Sequence, residues 1–353
     1  MALLQADSSR TRANATSLAS RTLPRGTVPG LGIAACGLAA LLFSVAPFGG
    51  FAGYVVFSGL LFLVAQTATS FAVEGRRHAV DRFASSLVHT TFLIALLPLL
   101  SVVWKVLAQG SDQVNGNFLT HSMRNVGVSD AGGGIYHSMV GTLLQGLITS
   151  LISIPLALLV AVYLVEYGTG KLARSVTFFV DVMTGIPSIV AGLFIYTVWV
   201  LTFGFERSGF AAALALTILM VPTVVRSTEE MLKLVPNELR EAAYALGVPK
   251  WRTILRIVIP TALPGIITGI MLGIARVIGE TAPLLLLLGG TDSINFNALD
   301  GPQSALPLFI YDQAGRPNPE AIDRAWGAAL ALILIVMILN LVARSVARLT
   351  RVR

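Results

Sequence analysis

An arginine and a glutamate interrupt one of the most apolar stretches of this sequence. The segment IARVIGETAP, residues 274–283, places Arg276 and Glu280 four positions apart, between GIITGIML and LLLLLGG. A charge at the centre of a membrane costs about 2.5–3.5 kcal/mol on insertion scales, so such residues are rare there and usually functional. A guanidinium at this depth can bind an anion through charge-assisted hydrogen bonds. The pair therefore predicts either a self-neutralising i, i+4 ion pair or an anion-binding position.

Glycines recur on the same side of this segment. Gly265, Gly269 and Gly273 share an arc with the two charged residues, and at about 100° per residue that arc is about 80° wide. Small residues at this spacing let membrane helices pack closely. We expect this side to face protein rather than lipid, to line a translocation path, and to hold Arg276 near or just beyond mid-membrane.

A carboxylate beside the arginine would select among anions. Phosphate near neutral pH keeps a P–OH group that donates a hydrogen bond to a carboxylate, whereas sulfate and molybdate have no such proton. We therefore expect Glu280 to hold the Arg276 guanidinium when the path is empty and to favour phosphate over its mimics. Ser188, next to the helix-breaking sequence TGIP, and Thr281 offer hydroxyls to the same path. A packing kink explains the motif at Ser188 equally well.

A second motif lies in the polar segment VPNELREAAYALGVPKWRTILRIVIP, residues 235–260. Pro236 at an early helical position, acids in the first turns and Gly247 at a left-handed C-cap predict a helix of about ten residues. A second helix is expected to begin after Pro249 and to re-enter the membrane. An ordinary basic loop is the simplest alternative, but small side chains with the apolar Tyr244 favour docking in a groove on a partner.

This segment resembles the EAA loop of binding-protein-dependent ABC importer permeases. The matching residues are Glu241, Ala242, Ala243, Gly247, Ile257, Ile259 and Pro260, with Ile259 in place of the usual leucine. In that family the loop is a coupling helix that docks in a cleft of a separate ATPase. The residues to which the resemblance assigns ATPase coupling are Glu241, Ala242, Ala243, Tyr244 and Gly247. ARVIGETAPLL (275–285) and other segments between about residues 130 and 346 narrow the resemblance to PstA-type phosphate permeases.

The resemblance also implies partners. These are a homologous phosphate permease of the PstC type, two copies of a PstB-type ATPase that binds ATP and Mg, and an external PstS-type phosphate-binding protein. No cofactor is expected in this chain, because its nearest approach to a P-loop, EYGTGKLAR at 166–174, lacks a required glycine and the hydroxyl residue after the lysine. No catalytic residues or metal cluster are recognisable, so we expect a non-enzymatic subunit.

Composition defines the framework that must position these residues. Hydrophobic residues make up 55% and charged residues 12% of the 353, and the mean hydropathy of +0.78 excludes an ordinary soluble domain. The net charge of +7 reflects membrane topology rather than nucleic-acid binding, because most lysines and arginines fall in alternate loops. Both termini are therefore expected in the cytoplasm, and the resemblance implies a bacterial inner (plasma) membrane. The single cysteine, Cys36, excludes a disulfide framework.

Apolar windows of about 19 residues or more predict an all-α, polytopic membrane protein with about eight transmembrane helices. The resemblance makes the last five a type I ABC importer permease core. The predicted spans are 31–49, 51–73, 86–108, 136–166, 175–203, 209–227, 261–289 and 326–346. The expected regions are a cytoplasmic tail (1–27), three additional N-terminal helices (28–110), an external loop (111–135), the core (136–346) with coupling loop 228–260 and external loop 290–325, and a cytoplasmic tail (347–353). We expect the three leading helices to pack at the periphery of the core.

Other functions remain open at this stage. An ATP-independent secondary transporter or channel would explain the buried charges but not the EAA-like loop, and inverted repeats are not evident. A membrane-embedded enzyme would need catalytic residues that are not recognisable. Within the importer class, the alternative substrate is another oxyanion, sulfate or molybdate. The external loop 290–325 is expected to receive the binding protein, with ALPLFIYDQ (305–313) as a short surface helix.

Overall fold

A computed structural model describes residues 23, 24, 26–45 and 50–351, and every regular element in that part of the chain is helical. The all-α prediction is confirmed, whereas most of the N-terminal tail, the turn at 46–49 and the last two residues lie outside the described residues.

The chain divides into two compact units, Met1–Trp104 and Lys105–Arg353. In chain order the helices are α1 (Thr27–Val45), α2 (Gly50–Glu74), α3 (Arg76–Gln113), α4 (Gly116–Thr120), α5 (Tyr136–Val162), α6 (Gly170–Thr184), α7 (Ser188–Ile195), α8 (Gly209–Lys233), α9 (Asn237–Ala245), α10 (Lys250–Thr253), α11 (Ile259–Ile278), α12 (Ala282–Leu287), α13 (Leu306–Ala314) and α14 (Pro319–Arg351).

Three helical stretches widen into π-helical turns. Tyr163–Tyr167 extends α5, Tyr196–Thr202 extends α7, and Ile254–Val258 joins α10 to α11 into one 29-residue helix. Within the described residues, seven helices are long and apolar enough to cross a membrane, or eight if the bent pair α6 and α7 forms one span. The number agrees with the predicted eight.

Some span boundaries differ from the prediction. The third span was predicted at 86–108 but its helix runs over Arg76–Gln113, and the last was predicted from residue 326 but its helix begins at Pro319. An apolar window locates only the residues that suit hydrocarbon, whereas a helix continues through polar residues for as long as its backbone hydrogen bonds are kept. The segments that precede both helices, and the one that follows the third span, are correspondingly shorter than predicted.

In the first unit, a buried carboxylate closes the end of α2. The Glu74 side chain is 2% exposed and accepts hydrogen bonds from the Leu23 backbone N–H at 2.6 Å and from Ser70 Oγ at 2.7 Å. Arg82 of α3 donates to the same carboxylate at 2.7 Å. Gly75, with φ of +88°, makes the turn between the two helices. Glu74 therefore joins three segments, and its charge is compensated as burial requires.

In the second unit, α8 is the central helix. In its most apolar 18-residue window, 72% of the residues are buried. The corresponding share is 33% for the helix formed by α10 and α11. Ala211, Ala212 and Ala215 are fully buried and allow neighbouring helices to approach closely. The core that results contains side chains from α5, α7, α11 and α12 as well. This central position makes α8 the support for the residues described below.

The loop after α12 is attached to polar side chains on α5. The Ser138 and Ser304 hydroxyls lie 2.8 Å apart, and Thr142 Oγ1 accepts a hydrogen bond from the Leu306 backbone N–H at 2.8 Å. Gly141 allows this approach, because a Cβ there would overlap the Ser304 carbonyl oxygen. The loop continues into α13, so the short helix predicted from ALPLFIYDQ is confirmed as a helix.

A buried arginine attaches the loop before α5 to α13 and α14. Arg324 of α14 is 2% exposed and donates to the carbonyl oxygens of Val128 at 2.7 Å, Asp130 at 2.9 Å and Gly132 at 3.2 Å. It also donates to Gln313 Oε1 of α13 at 3.1 Å. One guanidinium thus satisfies several buried acceptors at once and fixes the loop before α5 against α13 and α14.

Candidate functional site

Arg276 lies in the last turn of α11, and its side chain is exposed on this chain. Its Nη1 donates to Thr223 Oγ1 of α8 at 3.4 Å. Among the described residues, no carboxylate oxygen forms an ion pair with its guanidinium within 4.0 Å. The cation is therefore positioned by a neutral hydroxyl, and its remaining donors are available to an anion.

The predicted i, i+4 relation between Arg276 and Glu280 is wrong. The helix ends at Ile278, and Gly279 and Glu280 make tight capping bonds to the carbonyl oxygens of Arg276 and Val277, each at 3.2 Å. A new helix, α12, begins only at Ala282. Glu280 therefore lies in a break between two helices, and its angle on a continuous helical wheel has no meaning here. The carboxylate is half-buried and does not hold the guanidinium.

The glycine stripe packs against α8 and does not line a path. A Cβ at Gly265 would lie 2.6 Å from Met231 Cγ, and one at Gly269 would lie 2.6 Å from Ser227 Cβ. At Gly273 the nearest atom would be Val224 Cγ2, at 3.0 Å. The expectation that this side faces protein and permits close packing is confirmed. The expectation that it borders a path is wrong, because the sixth span fills the space.

The exposed face of α11 lies beside the glycine stripe. Thr261, Thr268, Leu272 and Arg276 are all exposed, and at about 100° per residue they fall within an arc of about 80°. The two threonine hydroxyls donate to backbone carbonyls of their own helix, at 2.6 and 2.9 Å. A face with a charge and two hydroxyls is costly against hydrocarbon, so it suits a water-filled path or a protein partner.

The fifth span is broken where its sequence predicted a break. The axes of α6 and α7, with their π-helical extension, differ by 106° across the interval 185–187. Ser188 is the first residue of α7 and is half-buried, with Pro187 as its N-cap. The turn at Gly185 is closed by a hydrogen bond from its N–H to the Val182 carbonyl oxygen at 3.1 Å. At the start of α7, the Val190 N–H donates to the Pro187 carbonyl oxygen at 2.9 Å, whereas the N–H groups of the first two residues precede the helical hydrogen bonds.

The two helix breaks are brought close together. Gly192 of α7 packs against α12, because a Cβ there would lie 2.8 Å from Pro283 Cα. Ser188 is one helical turn before this contact, and Thr281, which is half-buried, is two residues before Pro283. The proximity of the fifth and seventh spans at their interruptions could not be deduced from either motif alone. It places polar groups of both breaks in one region of the second unit.

The segment 235–260 forms the predicted pair of helices. The first, α9, has nine residues, and Gly247 follows it with φ of +73°, as expected for a left-handed C-cap. Glu241, Ala242 and Tyr244 are exposed on it. Ala243 is only 4% exposed, so it faces this chain and not a partner. Of the small residues expected to dock on a partner, Ala242 is therefore accessible and Ala243 is not.

An open pocket of about 350 Å³ is lined by residues of α12, of the loop that follows it and of α13. Arg207 lies at its edge together with Asp292 and Asp312. The Arg207 guanidinium carbon lies 5.4 Å from the centroid of the Tyr196 ring, and its Nη2 donates to the Tyr196 hydroxyl at 3.4 Å. Neither this pocket nor the support that Thr223 gives to Arg276 is marked by any sequence motif.

Comparisons with known proteins are consistent with this arrangement. The family model described as "Binding-protein-dependent transport system inner membrane component" matches residues 137–351. Two relatives are named as phosphate transport system permease proteins. PstA 1 of Mycobacterium tuberculosis (strain CDC 1551 / Oshkosh) is 51% identical over 269 residues, 76% of this chain and 88% of that protein. PstA of Mycobacterium leprae (strain TN) is 52% identical over 270 residues, 76% of this chain and 89% of that protein.

One solved structure shares the fold at low sequence identity. A bacterial ABC transporter involved in the import of the acidic polysaccharide alginate has a chain that is 14% identical, with a TM-score of 0.53. The match covers 77% of this chain and 99% of that chain. The likeness concerns the arrangement of helices and not the substrate.

Proposed function

Because this chain belongs to the family of binding-protein-dependent transport system inner membrane components, we propose that it is the permease subunit of an ATP-driven phosphate importer. The observation that carries the proposal is Arg276, an arginine without a carboxylate partner on the exposed polar face of an apolar helix. A multi-pass permease of this kind is not itself an enzyme. It supplies half of a path that a homologous permease of the PstC type completes.

Phosphate binding would use groups that the fold already holds in place. One nitrogen of Arg276 donates to Thr223 at 3.4 Å, and the other donors of the fork suit two oxygens of a tetrahedral oxyanion. The partner permease would cover the exposed face of α11 and exclude lipid from it. Ser188 and Thr281, near the two helix breaks, would offer hydroxyls to the anion as it passes.

Glu280 would still select among anions, although it does not contact Arg276 as the sequence predicted. Since it does not pair with Arg276, its oxygens can accept a hydrogen bond from the P–OH group of hydrogen phosphate. A dianion without a proton, such as sulfate, would meet only repulsion from the same carboxylate. This argument favours phosphate over sulfate or molybdate, which remain the alternative substrates.

ATP would drive the cycle through the cytoplasmic loop. We propose that α9, with Glu241, Ala242, Tyr244 and the turn at Gly247, docks in a cleft of a PstB-type ATPase, of which two copies bind ATP and Mg. Exposed side chains on a short helix suit such a groove, as does the 83% exposure of Leu246. Outside, the loop with α13 would receive a PstS-type phosphate-binding protein.

The proposed topology places both termini in the cytoplasm of a bacterial cell. Arg226, Arg240 and Lys250 belong to one set of alternate segments that is rich in positive charge. Such segments stay on the cytoplasmic side by the positive-inside rule. This orientation puts α9 on the side where ATP is available, and α13 on the side where a binding protein would arrive.

The proposal is tested with the complete complex reconstituted in liposomes. Wild-type complex should show ATP hydrolysis stimulated by the loaded phosphate-binding protein and should accumulate phosphate. Arg276→Ala removes a charge-assisted hydrogen bond worth about 1.5–3 kcal/mol, so phosphate uptake should fall roughly 10- to 100-fold. Leu272→Ala, on the same exposed face one turn earlier, is the matched control and should keep most of the uptake.

Three results would contradict the proposal. The first is undiminished phosphate uptake by Arg276→Ala. The second is stimulation by sulfate or molybdate, with their own binding proteins, that exceeds stimulation by phosphate. The third is purification of this chain without an ATPase, which would favour an ATP-independent transporter instead.

A further inference from the structure

The coupling helix is tied to the fourth span by a buried ion pair. Arg240 of α9 donates from Nε and Nη2 to Glu166 Oε1, at 3.0 and 2.9 Å. Its side chain is 13% exposed, and that of Glu166 is 5% exposed. Glu166 lies in the π-helical turn Tyr163–Tyr167 that ends the fourth span. A pair with two hydrogen bonds and little water is rigid, because neither partner can leave without exposing a buried charge.

The same guanidinium holds the end of the sixth span. Arg240 Nη1 donates to the Val235 carbonyl oxygen at 2.6 Å, and Nη2 donates to the Leu232 carbonyl oxygen at 3.1 Å. The Leu232 carbonyl lies in the last turn of α8 and also accepts a hydrogen bond from the Val235 N–H at 3.3 Å, and the Val235 carbonyl lies two residues beyond the helix. One side chain of the coupling helix therefore joins the ends of two spans.

A lysine from the other side of the loop contacts the same turn. Lys250, the first residue of α10, donates from Nζ to the Glu166 carbonyl oxygen and lies 4.7 Å from the centroid of the Tyr167 ring. Both helices of the cytoplasmic loop thus contact the end of the fourth span. Among the described residues, the polar contacts between this loop and that span are those of Arg240 and Lys250.

We propose that Arg240 and Glu166 are positioning residues that transmit movement of the coupling helix to the fourth span, and this rests on the proposed docking of α9 with an ATPase. The sixth and seventh spans are joined to the loop by the chain itself and must follow it. The fourth span has no such covalent connection and is tied to the coupling helix itself by these side chains. It packs closely on α8, where Thr149 Oγ1 donates to the Ala213 carbonyl oxygen at 3.2 Å. The fourth, sixth and seventh spans would then move as one body when the ATPase closes.

Breaking the pair should separate ATP hydrolysis from transport. Glu166→Gln, Arg240→Gln and the double variant are compared in the reconstituted complex by phosphate moved per ATP hydrolysed. We expect the ATPase to copurify and hydrolyse ATP, while phosphate per ATP falls at least about fivefold, the lower end of usual coupling energies. The phosphate-to-ATP ratio of the double variant should be no lower than that of either single variant, since the two residues form one link.

The matched control is Lys233→Gln. Lys233 also makes an ion pair at this end of the protein, with Glu229 at 2.7 Å, but both residues belong to α8. That pair joins no separate elements, so its loss should leave phosphate per ATP unchanged. A purely structural role for the Arg240 pair predicts less assembled complex with an unchanged ratio, and that result would overturn the inference.

A second measurement does not require the pair to be broken. Spin labels are placed on Glu238→Cys with Leu159→Cys, and on Glu238→Cys with Leu341→Cys, in a background carrying Cys36→Ser. All three labelled positions are exposed, and they lie on α9, the fourth span and the last span. Between nucleotide-free and ATP-trapped complexes, the distance from α9 to the fourth span should stay constant while the distance to the last span changes.

The two proposals fail in different ways. If wild-type complex shows no ATP hydrolysis stimulated by phosphate-binding protein, the proposed function is wrong. If wild-type complex transports phosphate but the Glu166 and Arg240 variants keep its phosphate-to-ATP ratio, the link is wrong. A change of the Glu238–Leu159 distance as large as that of Glu238–Leu341 would overturn it as well.

Discussion

Adding one methyl group to the glycine stripe should separate the sixth and seventh spans, and the structure ranks the cost at each glycine. In Gly269→Ala the new Cβ would lie 2.6 Å from Ser227 Cβ, about 1 Å inside ordinary contact for carbon atoms. Ser227 Cβ is fixed to the α8 backbone, so relief requires one helix to move. Overpacking of this kind costs about 1–3 kcal/mol.

The neighbouring glycines provide a graded comparison. A Cβ at Gly265 would overlap Met231, but the methionine side chain is flexible and can turn away. At Gly273 the nearest atom is 3.0 Å away, and at Gly279 it is 3.7 Å away. We therefore expect Gly269→Ala to be the most destabilising, Gly265→Ala and Gly273→Ala to be intermediate, and Gly279→Ala to be close to wild type.

The assay is thermal unfolding of the purified complex, followed by phosphate uptake at a temperature where every variant is folded. For a unit of about this size, 1–3 kcal/mol corresponds to a Tm lower by roughly 2–10 °C. Ser227→Gly in the Gly269→Ala background removes the opposing Cβ and should recover part of the loss. Equal Tm values for Gly269→Ala and Gly279→Ala, or no recovery by Ser227→Gly, would refute the packing argument.

Four further substitutions test other parts of the chain. Glu280→Gln should reduce discrimination between phosphate and sulfate while keeping phosphate uptake, measured as uptake of one anion in competition with the other. Ala242→Trp should abolish copurification of the ATPase without lowering Tm, because this position is exposed, whereas Ala243→Trp should lower Tm, because that position is buried. Arg324→Leu should loosen the loop before α5 at a cost of about 1–3 kcal/mol for each carbonyl left without a donor, measured by hydrogen exchange.

Each of these has an outcome that would count against it. Unchanged anion selectivity in Glu280→Gln would remove the role assigned to its carboxylate. An ATPase that still copurifies with Ala242→Trp would place the docking face elsewhere on the loop. Normal protection of residues 126–132 in Arg324→Leu would mean that the loop is held by other contacts.

The sequence was most informative where a property depends on neighbouring residues alone. Apolar length predicted the number of spans, Gly247 predicted the left-handed end of α9, and the sequence around Gly185 and Pro187 predicted the broken fifth span. Each of these depends on backbone conformation or solvent preference within about 20 residues. No distant partner is needed to decide them.

The prediction for the charged pair failed because it assumed one continuous helix. It treated the apolar run from residue 261 to 289 as one helix despite Gly279 and Pro283, whereas the backbone helix stops at Ile278 and resumes at Ala282. Whether Arg276 contacts Glu280 or Thr223 is decided by that break and by the position of α8. The same holds for Ala243, whose burial depends on which side of α9 lies against the chain.

The sequence by itself determined that this is a helical membrane protein with a pair of short helices between its sixth and seventh spans and an arginine in an apolar span, because composition and local spacing fix these features. Only the tertiary structure decided that the glycines face the sixth span, that Thr223 supports Arg276, and that Arg240 reaches Glu166, which is 74 residues away along the chain. Such contacts depend on how separately formed helices pack, and the local sequence pattern of each helix does not determine that packing.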